Sequence, residues 1–326
     1  MSKQSARIAF TRTLSMLARK DPRLFALATD SRGSAALDDF ARELPEQFVE
    51  CGIAEQNAIG IAAGLANTGK KPFICGPACF YSLRSSEQIK IDLAYSNSNV
   101  KIIGVSGGVS YGALGASHHA TQDVALMRAI PGLTVVLPAD GNQTEALTRG
   151  LASHIGPVYV RMGRGEVPDV YEKDPPFTLG KANVLRRGSD VSLIACGEMV
   201  YFTLETAKLL AQNGIEATVI DMHTLKPLDE EVILDAAAAG AVVSIEEHNI
   251  HGGLGSAIAS LLAQRRPTFM RILGLPDEVL YTGTSAQVFN HYGLTPQGIA
   301  QAAKELLKVR KDEPVYYCAG SEHFSQ

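Results

Sequence analysis

The sequence predicts an α/β fold made of two successive three-layer α/β domains, each with a mainly parallel sheet between helices. Three observations predict it. Short runs rich in β-branched residues alternate with helical segments, the alternation stops at a proline-rich stretch near residue 165, and it restarts some twenty residues later. With 326 residues, of which 46% are hydrophobic and 20% charged, the chain is long enough for two domains of ordinary size.

The first half of the chain begins with "MSKQSARIAFTRTLSMLARK", which predicts an amphipathic helix of the mature protein because it lacks the long apolar core of an export signal. Strands are predicted at "LFALAT", "PFICG", "VKIIGVS", "LTVVLP" and "PVYVRM". A helix beginning near Ala54 carries Glu55 in its first turn and small residues such as Gly60 and Gly64 at helical spacing. Such a face allows close approach of another helix, including one from another subunit.

The second half repeats the alternation after the stretch "GEVPDVYEKDPPFTLG", which is charged, proline-rich and without a period. Strands are predicted at "DVSLIACG", "EATVIDM", "AVVSIEE" and "TFMRILGL". We therefore predict a first domain over residues 1–165, a linker over 166–185, a second domain over 186–311 and a tail over 312–326 that shows no period.

Composition argues against several classes of protein. The net charge is −4 with both signs interspersed, so neither nucleic acid nor any other polyanion is an expected partner. No apolar run reaches the roughly 20 residues of a membrane span. Five cysteines without a regular framework suit a reducing compartment, and we expect a cytoplasmic protein. Cys75 and Cys79 form a single C-x3-C without a second pair, so we predict buried thiols and no metal site.

Two stretches partly match phosphate-binding motifs. "GLANTGKK" lacks the final Ser or Thr of a phosphate-binding loop and ends a helix where the motif should begin one. "IHGGLGSAIAS" follows a predicted strand and opens a helix, but it lacks the third glycine of the dinucleotide fingerprint. We interpret the second stretch as a tight turn at the start of a helix.

A longer pattern identifies a family. "VECGIAEQNAIGIAAGLA", "GPACFYSLRSSEQIKIDLAY", "GVSYGALGASHHATQDVALMRAIPGLTVVLPAD" and "PVYVRMGRG" follow one another, and "DMHTLKPLDEEVILDAA", "VVSIEEHNIHGGLGS" and "GLPDEVLYTG" come after them. With these segments the chain resembles the transketolase and 1-deoxyxylulose-5-phosphate synthase family over nearly its whole length. The resemblance implies a pyrimidine-binding domain for thiamine diphosphate followed by a transketolase C-terminal-like domain.

The resemblance gives Glu55 a role that its position alone does not. An acid in a first helical turn is ordinarily explained by the helix dipole, which contributes about 0.3 to 1 kcal/mol. In the family, the matching glutamate bonds the aminopyrimidine ring of thiamine diphosphate and favours the tautomer that removes the thiazolium proton. The same resemblance places Tyr81 against the aminopyrimidine ring, with Phe80 as the neighbouring candidate and ordinary core packing as the alternative for both.

The resemblance also implies substrate contacts. His118 matches a histidine that exchanges protons with substrate oxygens, and Arg164 matches an arginine that binds the sugar phosphate, with a salt bridge in the linker as its alternative. Transketolases carry an acidic residue where this chain has Leu114 and a phosphate-facing histidine where it has Ser106; the synthases carry an arginine where it has Gly107. Ser106 is therefore a substrate-site candidate, and the departures indicate a noncanonical ketose.

Half of the family's active site is missing from the sequence. The G-D-G motif and downstream asparagine that hold Mg²⁺ and diphosphate are absent. This predicts the C-terminal subunit of a split transketolase, which transfers a two-carbon ketol unit from a ketose, phosphorylated in the expected case, to an aldose. A separate N-terminal subunit would supply the Mg²⁺ ligands in an α2β2 assembly.

Three alternative functions stay open. The chain is also compatible with the β subunit of a 2-oxo-acid dehydrogenase, with a 1-deoxyxylulose-5-phosphate synthase-like enzyme and with a noncatalytic regulatory subunit. The "SHH" and "KPLDEEVI" contexts favour transketolase. Glu55, Tyr81 and His118 together argue against a noncatalytic subunit, because a structural subunit has no physical need of all three.

Overall fold

A computed structural model describes residues 3–312, so the predicted tail lies outside the described residues except for Asp312. The strands of the first half are β1 (Lys3–Ser5), β2 (Leu24–Ala28), β3 (Phe48–Glu50), β4 (Lys71–Pro77), β5 (Lys101–Val105), β6 (Thr134–Val136), β7 (Val158–Arg161) and β8 (Glu166–Pro168). Its helices are α1 (Ala6–Ala18), α2 (Asp38–Glu43), α3 (Glu55–Asn67), α4 (Ala78–Arg84), α5 (Ser86–Gln88, continued by a π-helical segment Ile89–Tyr95), α6 (Asp123–Ala129) and α7 (Gly141–Ser153). Short 3₁₀ turns occupy Pro45–Gln47 and Gly112–Ser117.

The second half contributes β9 (Asn183–Arg186), β10 (Val191–Ala195), β11 (Ala217–Asp221), β12 (Thr224–Lys226), β13 (Ala241–Asn249) and β14 (Phe269–Leu275). Its helices are α8 (Met199–Ala211), α9 (Glu230–Ala236, followed by a 3₁₀ turn Ala237–Ala239), α10 (Leu254–Arg265), α11 (Ser285–His291) and α12 (Pro296–Asp312). No helix among residues 3–312 is both long and apolar enough to span a membrane.

The first sheet has the strand order β12-β6-β7-β5-β4-β2-β3. All pairs among β2 to β7 are parallel, whereas β12 crosses from the second half of the chain and pairs antiparallel with β6. The second sheet has the order β14-β13-β10-β11-β9, in which β9 alone is antiparallel. A small antiparallel pair joins β1 to β8.

Both large sheets are buried on two faces. One core cluster brings α3, α4 and α6 against one face of the first sheet, and another brings α1, α2 and α7 against the other. All nine residues of β13 are buried in the second sheet, as expected for a strand between two helical layers. The predicted fold class is confirmed.

Each of the nine strands predicted from the sequence is present. The unpredicted strands β1, β3, β8, β9 and β12 have three or four residues each, which is too short to show a period. Residues 169–182 contain neither helix nor strand, and β8 and β9 lie at the two ends of the predicted linker. The domain boundaries at 165 and 186 stay a prediction.

Candidate active site

Four parallel strands of the first sheet deliver the candidate residues to one edge of that sheet. Glu55 follows β3, Phe80 follows β4, His118 follows β5 and Arg164 follows β7. The carboxyl ends of parallel strands lie at the same edge, where α/β proteins bind their ligands. Residues that are far apart in sequence are therefore brought together here.

Glu55 is the first residue of α3, and only 5% of its surface is exposed. Its Oε1 lies 2.8 Å from Nη1 of Arg84, the last residue of α4. The guanidinium carbon of Arg84 is also 3.9 Å from the ring centre of Phe80. Sequence reasoning missed Arg84, although its position four residues after Phe80 on a helix places the two side chains on one face.

His118 stands between two aromatic rings. Its ring centre is 5.3 Å from that of Phe80 and 5.2 Å from that of Tyr111, both in edge-to-face geometry. Ser117 Oγ lies 2.9 Å from His118 Nδ1, which fixes the imidazole orientation. The guanidinium of Arg164 lies 5.1 Å from the Tyr111 ring centre. Contacts therefore run without interruption from Glu55 through Phe80 and His118 to Arg164.

A second arginine lies beside Arg164. Arg7, in the first turn of α1, donates from Nε to the carbonyl oxygen of Arg164 at 3.2 Å and from Nη1 to that of Ser34 at 3.0 Å. Burial and then the charge of Arg164 lower the pKa of Arg7. Within residues 3–312, neither arginine forms an ion pair with a carboxylate, so the salt bridge considered for Arg164 is not seen there. Two neighbouring cations without an acid make a suitable anion site. Sequence spacing gives no signal for Arg7.

The structure places the Tyr81 side chain in the core of the protein. Its ring has no exposed surface and lies in the core with Leu27 and Ile59, and its hydroxyl bonds Thr29 Oγ1 at 3.1 Å. Burial raises the pKa of the Tyr81 phenol far above its usual range. A ring enclosed in this way offers no face to a ligand, whereas the neighbouring Phe80 is half-buried and lies beside His118.

The Ser106 side chain is enclosed as well. It is fully buried, has a positive φ of 57°, and its Oγ finds no hydrogen-bond partner within residues 3–312. Its role in the substrate site stays a prediction. At the neighbouring Gly107, a Cβ would lie 2.3 Å from Nε of Arg161, so no side chain fits there. Leu114 is 54% exposed on the loop that carries His118.

The cysteine pair and the turn before α10 are two other motifs of the sequence. In the part of the chain that the structure describes, no group of three or more His, Cys, Asp or Glu side chains is placed to hold a metal ion. Cys75 and Cys79 are free, buried thiols. The turn before α10 is occupied by Glu246, whose carboxylate accepts from the amides of Leu254 at 2.7 Å and Gly255 at 2.8 Å. A carboxylate of the chain itself therefore fills the position of a phosphate.

Comparison with known proteins covers both domains. The family model for the transketolase pyrimidine-binding domain matches residues 2–170, and that for the transketolase C-terminal domain matches residues 180–299. The chain is 53% identical over 306 residues to one of the subunits of the apulose-4-phosphate transketolase of Phocaeicola vulgatus, covering 93% of this chain and 98% of that protein.

Two further relatives have similar lengths. The chain is 39% identical over 290 residues to a 6-deoxy-6-sulfo-D-fructose transketolase subunit of a Clostridium species, covering 89% of this chain and 90% of that protein. A solved structure described as a split gene transketolase, inactive beta4 tetramer, superimposes with a TM-score of 0.86 at 39% identity. That superposition covers 93% of this chain and 98% of the other.

Proposed function

The chain belongs to the transketolase family, as its sequence resemblance predicts, and we propose that it is the pyrimidine-binding subunit of a split transketolase. With its partner it transfers a two-carbon ketol unit from a ketose with a terminal anionic group to an aldose. The observation that carries the proposal is the line of contacts from Glu55 through Arg84, Phe80 and His118 to Arg164.

The family implies thiamine diphosphate, and the residues present fit its aminopyrimidine. Glu55 and Arg84 line an open depression together with Ile53 and Asn57, and the Phe80 ring lies beside it. A carboxylate and an aromatic face are what a flat, hydrogen-bonding heterocycle needs. When bound, thiamine diphosphate supplies a nucleophilic carbon and an electron sink for cleaving the bond beside a ketone.

Each residue then has one task. With the cofactor bound, Glu55 would hold a proton at the ring nitrogen of the aminopyrimidine, and the Phe80 ring would bind the flat face of that ring. His118, oriented by Ser117, moves a proton to or from a sugar hydroxyl. Arg164 and Arg7 bind the terminal anionic group of the ketose.

The partner subunit holds what this chain lacks. Relatives of similar length are named as one subunit of a transketolase or as a split gene transketolase, which supports a separate subunit as the source of the diphosphate and Mg²⁺ ligands. The outward face of α3 supports a close contact between chains: Asn57, Gly60 and Gly64 are exposed, as is Ile53 just before the helix, and a Cβ at either glycine would meet no atom within 4 Å. An α2β2 assembly gives each such surface a partner.

Apulose 4-phosphate is the first candidate donor, because the relative named for it is 53% identical to this chain. A ketose that ends in a sulfonate is the second, since the relative named for 6-deoxy-6-sulfo-D-fructose is 39% identical. Two guanidinium groups suit either anion. The exposed Leu114 adds an apolar wall where other transketolases carry an acid.

The test is a donor assay on the co-expressed complex of this chain and a partner that carries the G-D-G motif. Apulose 4-phosphate, 6-deoxy-6-sulfofructose, xylulose 5-phosphate and pyruvate are compared with one aldose acceptor. We expect turnover of a ketose donor by the complex and none by this chain alone. Turnover of pyruvate instead would favour a dehydrogenase or synthase, and a stable complex without turnover of any donor would favour a noncatalytic role.

A further inference from the structure

The loop that carries His118 is closed by a narrow neck. Residues 106–122 connect β5 to α6, and we call them the His118 loop. Gly108 donates to the carbonyl oxygen of Ala120 at 3.0 Å, and Ala120 donates back to that of Gly108 at 2.8 Å. Tyr111 and His118 lie between these two residues, so the conformation of the neck determines where both rings point.

The second domain binds this neck directly. Glu247, near the end of β13, accepts the amide hydrogen of Val109 through Oε1 at 2.8 Å. Ser285, at the start of α11, donates from Oγ to the carbonyl oxygen of Val109 at 3.3 Å. Asn249 donates its amide hydrogen to the carbonyl oxygen of Thr121 at 2.9 Å. The amide of Val109 is therefore held by a residue of the second domain, whereas its carbonyl oxygen accepts both from Ser285 and, at 2.8 Å, from the amide of Gly112 within the loop.

The carboxylate of Glu247 lies against the backbone of the loop itself. Gly108 has a positive φ of 59°, and a Cβ there would lie 2.2 Å from Cδ of Glu247. Glycine is required for both reasons. Glu247 is 5% exposed, so its contact with Val109 is shielded from water.

Arg161 in turn fixes Glu247. Its Nη2 donates to the backbone oxygen of Glu247 at 2.7 Å and lies 3.6 Å from Oε2 of the same residue. Its Nε lies 3.6 Å from Oδ2 of Asp123, which accepts from the hydroxyl of Tyr159 at 2.7 Å. Arg161 ends β7, the strand that leads to Arg164. One buried group therefore connects the second domain to both segments that carry the proposed substrate contacts.

We propose that Glu247 is a positioning residue for the reaction: by accepting the amide hydrogen of Val109 it holds the His118 loop in the conformation that presents His118 to the substrate. The second domain thereby contributes to catalysis by holding the His118 loop, and its own side chains are not placed on the substrate. Only the expected effect on kcat/KM depends on the proposed function.

A competing explanation is that Glu247 only balances the buried charge of Arg161. Two conservative variants separate the explanations. Glu247→Gln keeps an oxygen within reach of the Val109 amide and removes the charge, whereas Glu247→Asp keeps the charge and withdraws the oxygen by one methylene. Positioning through the hydrogen bond predicts that the Asp variant is the more impaired, and charge balance predicts the reverse.

The experiment uses the complete two-subunit complex. Hydrogen exchange of the peptide spanning residues 106–122 is followed by mass spectrometry, and the KM and kcat for the ketose donor are measured on the same preparations. Glu216→Gln is the matched control, because Glu216 is an exposed acid of the same domain that pairs with Arg186. We expect faster loop exchange and a loss of about 10- to 100-fold in kcat/KM for Glu247→Asp, as for other displacements of about 1 Å in a site.

Glu247→Gln and the control are expected to keep loop protection and kcat/KM near those of the wild type. An Asp variant with wild-type loop exchange, or a Gln variant more impaired than the Asp variant, would overturn the proposal. If Glu247→Asp does not fold, Ser285→Ala takes its place. This variant removes the hydrogen bond from Ser285 Oγ to the carbonyl oxygen of Val109 and must also raise loop exchange. Loop exchange does not depend on the substrate, so a complex without ketose turnover would refute the proposed function while leaving this test intact.

Discussion

Nη1 of Arg84 lies 2.8 Å from Oε1 of Glu55, and the same guanidinium covers the Phe80 ring at 3.9 Å. Arg84 therefore occupies both the acceptor and the aromatic face that an aminopyrimidine would use. For the cofactor to make these two contacts, Arg84 has to leave them.

Arg84→Ala should consequently strengthen binding of thiamine diphosphate to the complex. Breaking a half-exposed ion pair costs up to about 1 kcal/mol, so we expect a Kd about fivefold lower in the variant. Calorimetry with thiamine diphosphate and Mg²⁺ measures it. Arg42→Ala, which removes an exposed arginine paired with Asp39, is the control and should leave the Kd unchanged. Weaker binding to the Arg84 variant would mean that Arg84 belongs to the cofactor site.

The two neighbouring arginines predict a loss that depends on the anionic group of the donor. Arg7→Ala and Arg164→Ala should each raise KM for an anionic ketose about 10- to 100-fold, the range of a lost charge-assisted hydrogen bond. A ketose without phosphate or sulfonate should be affected little. Arg12→Ala is the control, because Arg12 lies on the same helix as Arg7 and pairs with Glu145. An equal loss for charged and uncharged donors would contradict an anion site.

Phe80 and Tyr81 are adjacent but should respond differently. Phe80→Ala removes a half-buried ring beside His118 and should weaken thiamine diphosphate binding by about 1 kcal/mol, the scale of one aromatic contact. Tyr81→Phe removes a buried hydroxyl bonded to Thr29 and should cost about 1 kcal/mol of stability without changing cofactor affinity. Urea unfolding and calorimetry together distinguish them. If Tyr81→Phe bound thiamine diphosphate more weakly but kept normal stability, Tyr81 and not Phe80 would be the aromatic residue of the cofactor site.

Asp221 predicts a pH-dependent stability. Its Oδ2 accepts from Gln143 and from Tyr171, both at 2.6 Å, while Oδ1 has no partner within residues 3–312. Burial raises the pKa of Asp221 from its ordinary 3.8 to about 7, against the opposing effect of these two hydrogen bonds. Between these values the folded chain keeps the proton and the unfolded chain loses it, so the free energy of unfolding falls as pH rises.

Asp221→Asn removes this titration and keeps the shape of the side chain. When the pH is raised from about 5 to about 8, the free energy of unfolding of the wild type should fall by on the order of 2 kcal/mol more than that of the variant. Urea unfolding of both proteins at the two pH values measures the difference, and groups common to both proteins cancel. Parallel pH profiles of the two proteins would show that Asp221 is ionised in the folded state throughout.

The main features of the fold were predictable because the long strands carry their own signal. β4 contains the apolar stretch "PFICG" and β13 begins with "AVV", and such stretches identify buried parallel strands. β12 was not predictable, because its three residues gain their role from pairing with β6 across the chain. Strand register between distant segments is set by tertiary contacts, which local sequence does not contain.

The sequence predicted only those candidate site residues that lie within the family's motifs. The spacing in "CFYSLR" cannot say which of Phe80 and Tyr81 faces outward, because α4 begins directly after β4 and its rotation is set by core packing. Arg7 and Glu247 were missed for a related reason. Each contacts the site through backbone groups of residues far away in sequence, Arg164 and Val109 respectively.

Glu55→Gln tests the central claim, because it keeps the size of the side chain and removes its titratable proton. If Glu55 only stabilises the start of α3, the variant should lose a few tenths of a kcal/mol in stability, within the range of about 0.3 to 1 kcal/mol for a charge at a helix end, and keep its activity. If Glu55 activates the cofactor, ketol transfer should fall by about 10²-fold or more, the scale of a lost general acid or base.

The most direct measurement is the exchange rate of the thiazolium proton of thiamine diphosphate, followed by NMR in the complete two-subunit complex at saturating cofactor. We predict that exchange in Glu55→Gln is about 10²-fold slower than in the wild type, in step with the loss of turnover. Wild-type exchange and turnover in this variant would contradict the catalytic role of Glu55 and leave it as an ordinary first-turn acid.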